Sequence, residues 1–216
     1  MVASARVAIP HRAQPRWKRR VSYVQDALLV CVSAVFLWAH GSHAIEAGSI
    51  ASVFFAIEQA FLVIMFLTRR RTDTTSQRPF DWFVATIGGW LPLAMRPHES
   101  GGSAELLGTA VQVTGLTCVL ICFGIIGKSF GVVAANRGLK TNGPYRLVRH
   151  PIYVSHFITM SGFVIANFWW PNAAIVLVVT VFQVFRIQAE ERVLSATSDY
   201  EGYRRRVRWR LMPGVF

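Results

Sequence analysis

The chain has 216 residues, of which 53% are hydrophobic and only 16% charged, yet Lys and Arg outnumber Asp and Glu by 23 to 11. The hydrophobic fraction excludes an intrinsically disordered protein, and the shortage of charge argues against a soluble nucleic-acid-binding domain. A low charge count with a positive excess is typical of a membrane protein whose charges lie in its loops.

Several long stretches without charged residues predict membrane helices, each of which needs about 20 mostly apolar residues. The stretches 27–45, 47–68 and 106–127 each fit one helix, and Glu58 is the single charge inside the second. The shorter stretch 82–95 contains two glycines and a proline. We count it as a further helix, with a half-inserted segment as the alternative.

The last charge-free stretch, residues 151–185, is too long for one membrane helix. A turn-like string, Trp169-Trp170-Pro171-Asn172, interrupts it. We therefore expect a helical hairpin of residues 151–168 and 172–187. The predicted fold class is all-α, a polytopic membrane protein of five to six transmembrane helices with a C-terminal hairpin.

The positions of the basic residues predict the orientation of these helices. Of the 23 basic residues all but Arg96 lie in four segments, which are residues 1–20, 69–78, 128–149 and 186–210. Cytoplasmic loops of membrane proteins are enriched in Lys and Arg. Because six helices put all four segments on one side, we expect both termini in the cytoplasm. The net charge of +12 then reflects orientation and attraction to anionic lipid, not nucleic acid.

The predicted helices divide the chain into three parts: a basic N-terminal segment (1–22), a membrane part (23–127) and a C-terminal part (128–216). The soluble pieces are too short for a nucleotide-binding domain built from βαβ units, so loops and helix ends at the membrane surface must hold any cofactor. We expect no metal site, since no pair of cysteines has the spacing of metal ligands. The three cysteines, all inside predicted helices, are Cys31, Cys118 and Cys122.

The loop 128–150 and the helix after it form the first candidate site. Pro151 is suited to the first turn of a helix, whose N-terminal N–H groups would lie beside Arg149 and His150. Such a site suits an anionic group such as a carboxylate. Tyr153 and His156 follow on roughly the same helix face. The alternative is an ordinary basic loop at the membrane surface with a proline-capped helix.

A second cluster follows the hairpin. Gln183, Arg186 and Glu190 share one helix face, and Glu190 with Glu191 forms an acidic pair in a basic segment. The pair either contacts a ligand or makes surface ion pairs of little energetic value. Because the hairpin brings its two ends together, we expect this cluster beside Arg149, in a site open to both cytosol and lipid.

Aromatic and basic residues recur at steps of three in the C-terminal tail. Tyr200, Tyr203, Arg206 and Trp209 would lie on one face of a short amphipathic helix. Such a helix would lie on the membrane surface.

The string from Gly143 to Tyr153 resembles the G-P-Y-x-x-x-R-H-P-x-Y signature of the isoprenylcysteine carboxyl methyltransferase family, to which phospholipid N-methyltransferases are related. In that family a helical hairpin, a Glu-Glu pair and a Y-x-x-Y-x-x-R-V string follow. This sequence has all three in the same order over residues 136–213. It departs from the family at Ser155, where glycine is usual, and this departure bears on substrate identity.

The resemblance implies a methyltransferase that uses S-adenosylmethionine in a cytoplasmic site formed by residues 128–216. Its acceptor would be a lipophilic or lipid-linked molecule, most simply a carboxylate, and its location the lipid bilayer of a bacterial cell. The implied catalytic residues are Arg149, Glu190 and Arg206. The implied cofactor-binding residues are Gly143, Tyr145, His150, Tyr153, Glu190 and Glu191.

Two other functions compete with a methyltransferase. Sterol-type membrane reductases, which use NADPH, carry a similar Arg-His-Pro-x-Tyr string but usually place Asn before the tyrosine, where this chain has Ile152. A non-enzymatic scaffold would have no use for His150 or Glu190. Glu58 and His156, as ionisable residues inside predicted membrane helices, are open functional candidates.

Overall fold

The computed structural model describes residues 16–47, 50–70, 72, 74–96, 98, 102–196 and 198–215. In these ranges the fold is helical, with a single isolated β-bridge between Thr75 and Ala135. The α-helices are α1 (Arg16–Ala47), α2 (Ile50–Thr68), α3 (Pro79–Trp90), α4 (Gly102–Ile126), α5 (Pro151–Ala166), α6 (Trp170–Leu194) and α7 (Ser198–Arg206). Short 3-10 helices cover Leu91–Ala94, Gly127–Ser129 and Gly143–Arg146.

The predicted all-α class is confirmed, and each predicted apolar stretch is helical over most of its described residues. The hairpin differs from the prediction in one detail, since α6 begins at Trp170 and not at 172. Pro171 lies in the first turn of α6, where a missing N–H costs nothing, so the proline starts the helix and the break falls just before it. Most of the predicted N-terminal segment, residues 1–15, lies outside the described residues.

Two helical stretches, Gly102–Ser129 and Trp170–Leu194, are long and apolar enough to cross a membrane. Shorter apolar helices cover Asp26–Ser42, Val53–Thr68 and Pro151–Ala166. α3 is the shortest of the apolar helices, with 12 residues extended by the 3-10 helix after it.

Helices α4 and α5 pack with their backbones in direct contact. A Cβ atom on Gly115 would overlap Thr159, and one on Gly162 would overlap the backbone of Gln112. Small residues at a helix interface allow this close approach in membrane proteins. The contact fixes the first half of α4 against the second half of α5.

Helices α3 and α6 lie side by side and run antiparallel. At one end Arg192 Nη2 lies 2.7 Å from Asp81 Oδ1, and midway Gln183 Nε2 donates to the Gly88 carbonyl at 3.3 Å. At the other end Asn172 Nδ2 donates to the carbonyl of Arg96 at 2.8 Å. The segment from α3 to residue 96 therefore runs along most of the length of α6, from one end of the bundle to the other.

The loops between α2 and α3 and between α4 and α5 pair at one end of the bundle. The Ser76 N–H donates to Ala134 at 2.9 Å, and the Asn136 N–H donates to Thr74 at 3.1 Å. The Arg70 N–H donates to the carbonyl of Lys128 at 2.7 Å. Two of the basic segments, 69–78 and 128–149, thus meet at one end of the bundle.

Candidate active site

A tight 3-10 turn precedes α5 and shapes one wall of the site. Gly143 has a φ of 57°, and a Cβ atom there would contact Ile125 of α4, so the turn depends on glycine. The turn points Tyr145 inward, where it is 6% exposed. The carbonyl of Tyr145 accepts a hydrogen bond from the Tyr203 hydroxyl at 2.7 Å, which ties the turn to α7.

The C-terminal tail runs beside the start of α5. The N–H of Arg149 donates to the carbonyl of Trp209, and the N–H of His150 donates to that of Arg210, both at 2.9 Å. The Arg149 guanidinium also donates to the carbonyl of Arg208 at 3.3 Å. Backbone hydrogen bonds thus hold the tail against the two residues that immediately precede α5.

Glu191 lies at the centre of a buried group of charges. Arg149 Nη1 lies 3.2 Å from one of its carboxylate oxygens, and Arg210 donates to the other at 2.9 Å. His150 Nε2 lies 3.4 Å from the first oxygen. Sequence analysis did not select Arg210, because nothing separates it from the other tail arginines until the chain is folded.

Glu190 points to the other side of His150. The Tyr153 hydroxyl donates a hydrogen bond to the Glu190 carboxylate, and His150 Nδ1 lies 3.6 Å from it. The guanidinium of Arg186 lies 5.3 Å from the centre of the Tyr153 ring. The Glu190 side chain is 25% exposed against 10% for Glu191, so Glu190 is the accessible acid of the pair.

The charged neighbours of His150 favour its protonated form. Burial lowers the pKa of this imidazole, but the hydrogen bonds and negative charges of Glu190 and Glu191 outweigh burial and raise the pKa above its ordinary value. Each ring nitrogen of His150 faces one acid, Nδ1 toward Glu190 and Nε2 toward Glu191.

A cleft opens beside this cluster and encloses about 740 Å³ of empty space, its solvent-facing mouth included. Apolar residues from α4, α5 and α6 form part of its wall, and the loop 131–140 forms another part. Its polar and aromatic lining consists of Ser129, Arg137, Lys140, Tyr145, Arg149, His150, Glu190, Tyr200 and Tyr203. The lining of the cleft thus includes apolar residues and charged residues of both signs.

Most of the predicted site residues meet at this cleft. Its lining includes Tyr145, Arg149, His150 and Glu190, and Tyr153 hydrogen-bonds to Glu190 from behind. Glu191 orients Arg149 and His150, and Gly143 shapes the turn. Arg206 lies apart, exposed on α7 and outside the cleft lining.

The tail is folded differently from the predicted surface helix. α7 ends at Arg206, so Trp209 lies beyond it in the irregular segment that pairs with the start of α5. Tyr200 and Tyr203 are only 1% and 2% exposed, and they pack with Val207 in the interior. Their spacing therefore marks a buried helix face and not a membrane-facing one.

The two isolated candidates, Glu58 and His156, lie next to each other. Glu58 Oε1 of α2 is 3.9 Å from His156 Nδ1 of α5, and the His156 ring packs against Phe123 of α4. Ser155, the departure from the family pattern, is buried and donates to the Pro151 carbonyl at 3.0 Å. Its side chain thus belongs to the contact between α4 and α5.

Comparison with known protein families agrees with the sequence signature. The family model described as phospholipid methyltransferase matches residues 98–198, slightly less than half of the chain. The matched segment contains α4, α5 and α6, and with them Arg149, His150 and the Glu190–Glu191 pair. Over residues 98–198 the chain is therefore similar to phospholipid methyltransferases, and this similarity indicates the general class of a membrane methyltransferase. No curated protein matches the chain at a significant level.

Proposed function

We propose that this protein is an integral membrane methyltransferase that transfers a methyl group from S-adenosylmethionine to a lipophilic acceptor. The observation that carries the proposal is the cleft beside His150 and Glu190, whose lining contains both charged and apolar residues. A water-soluble donor and a lipid-soluble acceptor need a site of this mixed character. The family match over residues 98–198 supports the same reaction class.

The residues of the cleft fit the proposed donor. Glu190 offers an accessible carboxylate to the ammonium group of an amino acid. The hydroxyl of Tyr145 and Nε of Arg137 are buried polar atoms without a hydrogen-bond partner among the described residues. An unsatisfied buried polar group costs about 1–3 kcal/mol, which suits a site that a ligand completes.

In this proposal the residues around the cleft position two molecules. Bound S-adenosylmethionine supplies a methyl group on a sulfonium sulfur. This sulfur leaves readily as a neutral thioether, so the donor needs little activation. The chain's task is therefore positioning. The Tyr153 hydroxyl and His150 hold Glu190 in one orientation, while Glu191 holds Arg149 against the tail. Tyr145, which follows the turn at Gly143, forms another part of the cleft wall.

We propose a carboxylate as the acceptor group, with a phospholipid amine as the rival. Lys140 and Arg149 give the cleft positive charge, and Ile126, Ile152 and Leu194 give it an apolar wall. A carboxylate is ionised at neutral pH and needs no base, whereas an amine must lose a proton, for which Glu190 is the candidate. Methylation of a prenylated cysteine but not of phosphatidylethanolamine supports the carboxylate, and the reverse result contradicts it.

The family resemblance implies that Arg206 orients the acceptor carboxylate. Because Arg206 lies outside the cleft lining, we propose that it acts by attracting an anionic acceptor as it approaches the cleft. Its exposed place on α7 leaves it accessible to a molecule that approaches from outside the cleft. An Arg206→Gln variant is then expected to raise KM for the acceptor and to leave donor affinity unchanged.

We further propose six membrane crossings with both termini in the cytoplasm of a bacterial cell. The segment from α3 to residue 96 pairs antiparallel with α6 at both ends of α6. This pairing supports a membrane crossing by that segment, although α3 itself is short. The meeting of basic loops at the end that carries the cleft supports a cytoplasmic site.

Calorimetry of the full-length protein in detergent, with S-adenosylmethionine and NADPH as separate ligands, tests the proposal. We expect S-adenosylmethionine to bind, and we expect Glu190→Ala and His150→Ala to weaken it about tenfold or more, since each removes a polar contact. Glu201→Ala is the matched control, because Glu201 lies exposed on α7. Binding of NADPH alone contradicts the methyltransferase.

A further inference from the structure

Arg137 is a cation of the cleft that the sequence signature does not include. It lies in the loop between α4 and α5, in the stretch that also pairs with the loop before α3. Its guanidinium lines the cleft together with Tyr145 and Glu190. Of the cleft-lining cations, Arg149 has an acid partner in Glu191, whereas Arg137 has no carboxylate within 4 Å in the described parts of the chain.

The hydrogen bonds of Arg137 are incomplete. Its Nη1 donates to the carbonyl of Val133 at a long 3.5 Å. Its Nε is buried and has no hydrogen-bond partner among the residues described. A guanidinium carries five N–H donors in a fixed planar arrangement that matches a carboxylate, and a buried one is rarely left without a partner.

The local backbone is adapted to this guanidinium. A Cβ atom on Gly131 would overlap Nη1 and the central carbon of the Arg137 guanidinium, so only glycine leaves it this space. Burial and the neighbouring positive charge of Arg69 lower the pKa of Arg137 to about 10. Arg137 is therefore still charged at neutral pH, and it keeps its capacity to bind an anion.

We propose that Arg137 binds the α-carboxylate of S-adenosylmethionine. The inference rests on the proposed function and extends it to a residue outside the signature. The carboxylate is the only anionic group of this donor. Glu190 and Arg137 both line the cleft, and an acid with an unpaired guanidinium provides the two partners that an amino-acid zwitterion needs.

A ligand that lacks only the carboxylate can distinguish carboxylate binding by Arg137 from a structural role of Arg137 in the fold. Decarboxylated S-adenosylmethionine keeps the adenosine, the sulfonium and the amine. For Arg137→Gln in detergent we expect Kd for S-adenosylmethionine to rise about 30-fold, which corresponds to about 2 kcal/mol for a charge-assisted pair. Kd for the decarboxylated ligand is expected to stay unchanged. Arg137→Lys keeps the charge but not the planar fork, so we expect it to recover part of the affinity.

Arg205→Gln is the matched control, because it removes the same charge from an exposed position on α7. Equal weakening of both ligands by Arg137→Gln overturns the proposal, since it indicates a structural role for the arginine. The proposal is also overturned if Arg137→Gln leaves the affinity for S-adenosylmethionine unchanged and raises KM for the acceptor. That result would indicate that Arg137 binds the acceptor. If wild-type protein binds neither ligand, the proposed function itself fails, and that result is distinct from the others.

Discussion

Both ends of the α5–α6 hairpin contain buried polar side chains, but the two ends use them differently. At the turn, Asn172 is fully buried, and its side chain makes three hydrogen bonds. It accepts from the N–H of Arg96 at 3.1 Å and donates to the carbonyls of Arg96 at 2.8 Å and Asn167 at 3.1 Å. Every polar atom of that side chain is thus engaged within the chain.

At the open end of the hairpin, unlike at the turn, several buried polar atoms are left without a partner among the described residues, as in a site that a ligand completes. Glu191 is surrounded by Arg149, His150 and Arg210, yet Arg137 and Tyr145 nearby keep buried polar atoms without partners in the described structure. A network that is complete stabilises the fold, and one that is partly satisfied costs folding free energy. The comparison suggests that the turn serves stability and that the open end serves binding.

The largest effect is expected from Glu191→Leu, at the open end. The substitution leaves Arg149 and His150 buried without this acid, and breaking a buried ion pair typically costs about 3–5 kcal/mol. We expect a large fall in the midpoint of thermal unfolding and the loss of stabilisation by S-adenosylmethionine. Glu201→Leu, at an exposed position, is the control and is expected to change neither. A Glu191→Leu variant that S-adenosylmethionine still stabilises would mean that the cluster is not part of the site.

A smaller effect is expected from Asn172→Leu, at the turn. The leucine removes three hydrogen bonds and leaves the backbone groups of Arg96 without partners, which costs about 2–3 kcal/mol. The affinity for S-adenosylmethionine, measured by calorimetry below the unfolding temperature, is expected to equal that of wild type. The comparison between the two ends fails if Asn172→Leu weakens ligand binding as strongly as Glu190→Ala does.

Local sequence signals predicted much of this arrangement. Pro151 marks the start of α5, and Pro171 with its flanking aromatics marks the hairpin turn within a few residues. The Glu190–Glu191 pair stands out because acids are rare in a basic segment. In each of these cases the physical cause lies within a few residues of the signal, so the sequence alone could reveal it.

The remaining features depend on contacts between distant segments. Arg210 joins Glu191 only because the tail runs back along the start of α5, and Glu58 meets His156 only because α2 packs near α5. Arg137 is one basic loop residue among several until folding leaves it without an acid partner. No spacing rule links such positions, because the path of the chain between them determines whether they come into contact.

The smallest expected effect is on the pH dependence of stability, which should differ between the two ends of the hairpin. Because Glu190 and Glu191 raise the pKa of His150 in the folded protein, protonation of His150 stabilises the fold below its ordinary pKa of about 6.5. This contribution is lost as the pH rises through the raised value. We therefore expect the unfolding midpoint of His150→Gln to approach that of wild type as the pH rises from about 6 through the raised pKa of His150. The deficit of Asn172→Leu should stay constant over the same range, since no ionisable side chain contacts Asn172 in the described structure. A wild-type advantage over His150→Gln that grows with pH would show that burial, and not the two acids, controls this histidine.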